Sequence, residues 1–303
     1  MIGFGQLQAP SRFISQADHV NVMSISFTID STVLMPMPTE GESKQVKYIE
    51  NKGQWQSNIL YKANIPEGVV YLENNLFTYS FYNFKQLEEF HHLSHEKRNQ
   101  GPQELNLDGF AFKMELLGAN KKAITNGEEV LPEYHNYFIG NDKKKWKGKV
   151  PLYNVVNYSS IYNGIDLKIY SQNIFFKYDF IVSEGANPHD IKLYYNGINP
   201  LLKGDNLEMD IGFNTIIEQK PLAYQIINEE KIQVECRFQL KDNVVSFVFP
   251  NGYNEQYELI IDPILITSTL SGTIGADNYG HTATYGNGGE IFTGAISFGT
   301  GYP

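Results

Sequence analysis

The feature that most constrains this chain is alternation with a period of two, repeated in many short segments. From 232 to 240, Ile232, Val234, Cys236, Phe238 and Leu240 are apolar, and Gln233, Glu235, Arg237 and Gln239 between them are polar. Successive side chains of a strand point to opposite faces, so such a segment buries one face and wets the other. A slip of one residue would bury the charges of Glu235 and Arg237, so the register is strongly specified. The pattern recurs in Ile165, Leu167 and Ile169, in Phe176, Tyr178, Phe180 and Val182, in Ile191, Leu193 and Tyr195, and in Leu207, Met209 and Ile211. Ser171-Gln172-Asn173 between the first two predicts a hairpin. Further short strands are expected at 46–55 running into a Gly turn, 59–63, 68–72, 76–82, 110–114, 244–249 and 257–261. Short strands with turn signals about every ten residues predict an all-β, sandwich-like domain of many antiparallel strands. Asp262-Pro263 reads as the turn that closes it, because Pro cannot continue a central strand.

Three regions follow from where this rhythm starts and stops. Residues 1–43 are weakly patterned, with one short strand at 22–29, and read as a tail or linker. Residues 44–263 are the sandwich-like domain. Within it, 84–107 (FKQLEEFHHLSHEKRNQGPQELNL) is polar and breaks the rhythm, so a helix or a long mobile surface loop is expected there. Residues 264–303 are rich in Gly, Ser and Thr with one strand at 290–294, as in the opening of an incomplete β-propeller-type repeat. One such unit cannot bury its own faces, so neighbouring repeats are expected, and both ends read as cut from something longer.

Charge and composition exclude some partners. A net charge of -10 argues against nucleic acid, which needs clustered Lys and Arg. The basic run Lys143-Lys144-Lys145-Trp146-Lys147 is an anion-patch candidate, with a solvated loop anchored by Trp146 as the simpler account. No window of eighteen apolar residues exists, so no membrane span is expected, and no signal peptide is recognisable. The single cysteine, Cys236, falls on an apolar face and reads as a small buried hydrophobe.

The candidates for chemistry are few. Asp166 and Asp179 lie on adjacent predicted strands and could form a glycosidase acid and base. Lys168 and Lys177 sit beside them, so cross-strand ion pairing is the simpler explanation. His91, His92 and His95 form an HHxxH cluster in which His91 and His95 would share a helix face as a weak metal pair. No third ligand is evident, and no metal or cofactor is expected. Trp55, Trp146, Tyr153, Tyr158 and Tyr162 could stack on sugar rings, with core or rim packing as the alternative.

Several phrases match one family. They are Ile49-Glu50-Asn51-Lys52-Gly53-Gln54-Trp55, then Tyr137-Phe138-Ile139-Gly140-Asn141-Asp142 with Trp146, then Val150-Pro151 through Tyr162-Asn163-Gly164-Ile165-Asp166-Leu167. Lys177 to Val182 with Gly185-Ala186-Asn187-Pro188, Gln219 to Gln225, and Leu259-Ile260-Ile261-Asp262-Pro263 complete the set. Over about residues 46–263 the chain resembles the uncharacterised N-terminal β domain that precedes seven-bladed-type β-propeller repeats in large secreted bacterial proteins. Those are commonly type IX-sorted and gliding-motility-associated. The tail resembles the first repeat but has Ser271-Gly272 and Thr284-Tyr285 where the repeat has Gly-Gly and Val-Asp. The resemblance implies an extracellular or cell-surface location and downstream β-repeat domains as partners, and it carries no catalytic residues. The expected function is therefore a non-catalytic structural or adhesion module contacting surface glycans or other cell-surface proteins. A carbohydrate-binding accessory module of a secreted enzyme and a hydrolase using Asp166 and Asp179 are the alternatives.

Overall fold

The computed structural model describes residues 22–29, 45–83, 85–86, 103–138, 143, 146–172, 174–267, 278–285 and 291–297. His91, His92, His95 and most of 84–102 lie outside them, as do Lys144 and Lys145.

Among the described residues, the elements from which the fold is built are strands, with a 3-10 turn at Pro188–Asp190. β1 (Val22–Ile29) precedes a meander of β2 (Tyr48–Glu50), β3 (Tyr61–Ile65), β4 (Gly68–Leu72), β5 (Leu76–Tyr82) and β6 (Gln103–Leu116). β7 (Ile124–Tyr137) and β8 (Lys147–Tyr162) form a long ribbon, and β9 (Ile165–Gln172) and β10 (Phe175–Val182) a hairpin. Ten short strands follow: β11 (Leu193–Asn196), β12 (Leu201–Lys203), β13 (Asn206–Asp210), β14 (Thr215–Glu218), β15 (Leu222–Ile227), β16 (Glu230–Val234), β17 (Arg237–Lys241), β18 (Val244–Val248), β19 (Leu259–Asp262) and β20 (Ile264–Thr267). β21 (Asn278–Tyr285) and β22 (Ile291–Ser297) pair with each other as a separate two-stranded sheet.

All twenty strands from β1 to β20 belong to one antiparallel sheet. Its spine runs β17–β18–β11–β6–β5–β4–β3–β2–β8–β9–β10. There it branches: β19 leads on to β15 and β16, and β20 leads on to β14, β13 and β12. The β12 and β17 edges come alongside each other, so the sheet almost closes into a barrel. The all-β expectation holds, with one curled sheet in place of two stacked ones.

One continuous core fills the interior, and aromatic rings dominate it. Tyr79 stacks on Phe112 at 4.9 Å and meets Phe176 edge-on at 6.0 Å. Phe247 of β18 packs on Phe180 of β10 at 6.0 Å and on Phe238 of β17 at 5.8 Å. Each fully buried ring of this kind contributes roughly 1.5–3 kcal/mol by removal of apolar surface from water. A satellite cluster of Ile49, Val150 and Leu152, covered by Trp55, Leu131 and Tyr137, supports the β7–β8 ribbon.

Two expectations are corrected. The 232–240 segment is not one strand: it breaks at Glu235-Cys236, β16 pairing with β15 and β17 with β18. Alternation survives the break, with Val234, Cys236 and Phe238 all buried, because inward and outward direction does not depend on which neighbour a strand pairs with. The segment 84–107 ends in structure: β6 begins at Gln103, and residues 103–110 pair with β1, so the strand in the tail joins the sheet. The sheet continues across Pro263. β10 pairs with β19 before it and β20 after it. Pro263 falls where the other neighbour changes from β15 to β14, in a gap where its missing N–H costs no ladder bond.

Candidate functional sites

The outer face of the sheet at its branch point gathers the most unusual polar side chains. Inward positions of β9 and β10 are apolar and buried, which turns Asp166, Lys168 and Tyr170 of β9 and Lys177, Asp179 and Ile181 of β10 outward. The ladder sets Asp179 opposite Lys168 and Tyr170 opposite Lys177. One step along the β10–β19 ladder from Phe180↔Ile261, Asp262 comes next to Asp179. β15 adds Leu222, opposite Asp262, and Tyr224, opposite Ile260.

This cluster is outward but not open. Lys177 and Asp179 are only 6% and 8% exposed, which is rare for charged side chains that lack partners. The Lys177 ammonium lies 2.7 Å from Oδ1 and 2.8 Å from Oδ2 of Asp262; it donates a directed hydrogen bond to Oδ2, so Oδ1 has the charge contact alone. The Tyr170 hydroxyl donates to both oxygens of Asp179, at 3.2 and 3.1 Å. Asp262 follows Asp179 on the neighbouring strand, so two carboxyls meet in one dry place. Burial, and then the Asp262 charge, push Asp179 up to about 7, against the opposing pull of Lys177 and Tyr170. The same burial and the neighbouring Asp179 raise Tyr170. Asp179 therefore takes up and releases its proton near neutral pH.

The expected Asp166–Asp179 pair is not what assembles. Asp166 is exposed, and its Oδ1 accepts the Ser160 N–H at 2.6 Å. Nor does the ion pair run as expected: Lys177 goes to Asp262, while the Lys168 ammonium sits 5.6 Å from the Tyr170 ring centroid. Sequence reasoning passed over Asp262 because its Pro neighbour made it look like a turn residue.

A second buried carboxylate lies on the inner face. Glu218, the last residue of β14, has no solvent exposure. The Tyr178 and Tyr195 hydroxyls donate to it, the latter at 2.6 Å. Burial raises its pKa, and the two phenols partly offset that. Tyr79 is beside it, its buried hydroxyl without a hydrogen-bond partner among the described residues. Among those residues no three His, Cys, Asp or Glu side chains group as a metal site.

The five aromatic candidates separate. Tyr158 is fully buried and donates to the Glu73 carbonyl at 2.8 Å, and Tyr162 is 5% exposed, so both present no ring to solvent. Tyr153 is half-buried, edge-on to Tyr61 at 6.1 Å, with its hydroxyl on Glu50. Its ring covers Gly127, where any Cβ would come within 2.5 Å of it. Trp55 is half-buried against Tyr137 at 5.5 Å. Asn51 places it there. Its side-chain oxygen accepts the N–H of Gly53 and Trp55, and its amide donates to the carbonyls of Gln56 and Ile59. Trp146 is exposed and pairs edge-on with Phe138 at 5.6 Å.

Residues 48–264, more than half of the chain, match a family described only as a domain of unknown function, DUF7948. The chain belongs to the DUF7948 family. No curated protein and no solved structure matched it. The matched DUF7948 region ends one residue after Pro263 and takes in Trp55, the Asp179–Asp262 pair and Glu218.

Proposed function

We propose that this chain is a structural and adhesion module, working by surface contact rather than by chemistry, within a large secreted or cell-surface bacterial protein. The observation that carries this reading is the free side of β7. Among the described residues this fourteen-residue strand pairs with β8 alone, and it carries Ile124 and Val130, both 65% exposed, and Tyr134, 51% exposed. Apolar side chains gathered on a rigid, single-core sheet favour contact with another surface. Glu129 in a left-handed conformation, Pro132 and two bulges interrupt the edge, which blunts strand addition and leaves side-chain contact as the mode of binding. The location, the type IX sorting and gliding association, and a propeller-type repeat after the domain rest on the sequence resemblance. The β21–β22 hairpin is in keeping with a blade built from short antiparallel strands.

Beads coated with the purified chain should adhere to polysaccharide-coated and protein-coated surfaces more than albumin-coated beads do. Ile124→Ser/Val130→Ser/Tyr134→Ser should lower adhesion several-fold, while Leu201→Ser, an exposed apolar residue on β12, should not. Equal adhesion by the triple variant sinks the reading. Release of reducing sugar that Asp179→Asn abolishes would put a hydrolase in its place.

A further inference from the structure

Lys177 of β10 and Asp262, the last residue of β19, meet where the sheet branches. Their ion pair is unlike those on the surface. The Lys177 side chain is 8% and that of Asp262 13% exposed, whereas Lys203 and Lys220, paired with Glu208 and Asp205, are 63% and 41% exposed. The Tyr170 ring lies against the ammonium, its centroid 5.5 Å from Nζ. Water is thus largely kept from both charges.

Nζ stands 2.7 Å from Oδ1 and 2.8 Å from Oδ2 of Asp262. With both oxygens that close, Cγ between them is about 3 Å from Nζ, which is near-attack range for an amine on a carboxyl carbon. The reactive form of such a pair is a neutral amine beside a neutral acid. A dry site lowers the cost of reaching it, because two bare charges are expensive there. Burial and then the Asp262 charge hold the neighbouring Asp179 at about 7, so a neutral carboxyl, not a second anion, stands beside the reacting one up to neutral pH.

We propose that Lys177 and Asp262 condense into an isopeptide bond that staples β10 to β19. The ammonium passes one proton directly to an Asp262 oxygen. The freed lone pair attacks Cγ, and the C–N bond forms. A second proton moves from the nitrogen to the hydroxyl so made, the C–O bond breaks, and one water departs. Ammonium and carboxylate together hold every atom of the amide and the water, so no outside reagent is consumed. Exclusion of water then protects the amide from hydrolysis. The staple joins residues 85 positions apart in a chain whose single cysteine rules out an internal disulfide.

The test is the intact mass of the full chain, followed while it is held folded at neutral pH. The mass should settle one water below that of the sequence. Trypsin should then fail to cut after Lys177 and should yield residues 169–192 joined to residues 242–303. Pro263 has no N–H, so Asp262 cannot lose water onto the following backbone nitrogen, and a loss mapped to Asp262 reports the cross-link. Lys177→Arg keeps the charge and should stay at full mass, as should Asp262→Ala, with a cooperative urea transition showing that each is folded. Boiled in detergent, the cross-linked parent should migrate ahead of both on a gel. Lys168→Arg, on the neighbouring strand, should condense as the parent does. Asp179→Asn keeps a neutral side chain beside Asp262 and should condense too; its failure to do so would overturn the direct proton transfer. Full mass in the parent after prolonged incubation, a water loss that persists in folded Lys177→Arg, or joined peptides that omit Lys177 or Asp262 overturns the isopeptide.

Discussion

Replacing Asp179 by Asn should stabilise this protein, and more so as pH rises. In the folded chain Asp179 titrates at about 7, against an ordinary value of 3.8. A carboxyl whose folded pKa is raised stabilises the folded state fully below its unfolded value. That contribution is lost as pH rises from about 3.8 through about 7, because the unfolded chain releases the proton first. Three pH units at 1.36 kcal/mol each set a ceiling of about 4 kcal/mol above neutrality. Asn retains the oxygen that accepts from Tyr170 and gains an N–H to offer Asp262, so the geometry survives while the charge does not. Urea unfolding of both proteins from pH 4 to pH 9, followed by tryptophan fluorescence, measures the effect. The curves should nearly meet at pH 4 and diverge by about 2–4 kcal/mol at pH 8, a midpoint shift on the order of 1 M urea. Parallel pH curves, or a variant less stable than the parent at pH 8, would refute the account of a buried Asp179 that keeps its proton up to neutral pH.

Glu218→Gln should flatten a second loss of stability in the same direction, since burial raises Glu218 and its contribution also fades as pH climbs above 4.5; denaturation at pH 4 and 8 reads it. Glu218→Ala should cost several kcal/mol at any pH, because Tyr178 and Tyr195 are left with buried hydroxyls worth about 1–3 kcal/mol each when unpaired. Tyr79→Phe removes a buried hydroxyl that lacks a partner among the described residues and should be neutral or stabilising by about 1 kcal/mol in a thermal melt. Gly127→Ala should displace the Tyr153 ring, break its bond to Glu50 and lower the urea midpoint, with the loss absent in a Tyr153→Ala background.

What the sequence reveals depends on how local the cause is. β4 and β5 fall where alternation and turn residues place them, because both signals lie within the strand itself. The Asn51 loop is similarly self-contained: one side chain closes it. β7 and β8 escape detection because the ribbon is bulged, β7 is mostly exposed, and Pro151 and left-handed Ser160 interrupt β8. An exposed strand with bulges has no two-residue hydrophobic period to read. The site at the branch is invisible for a different reason. Asp179 sits at an outward position and looks solvated, and only strands some forty to eighty residues further along bring Asp262 and Tyr224 to it. No local pattern encodes that meeting.

The strand on either side of Pro263 has a mechanical consequence. From Leu259 to Thr267 the chain runs along β10 on one edge, and along β15 and then β14 on the other. Tension entering through the residues after Thr267 pulls along the axis of a strand gripped on both sides. Its hydrogen bonds then bear load together in shear, where the end of a hairpin would yield one rung at a time. A module anchored in this way would resist drag on whatever follows it without help from a disulfide, since its single cysteine stands alone and buried.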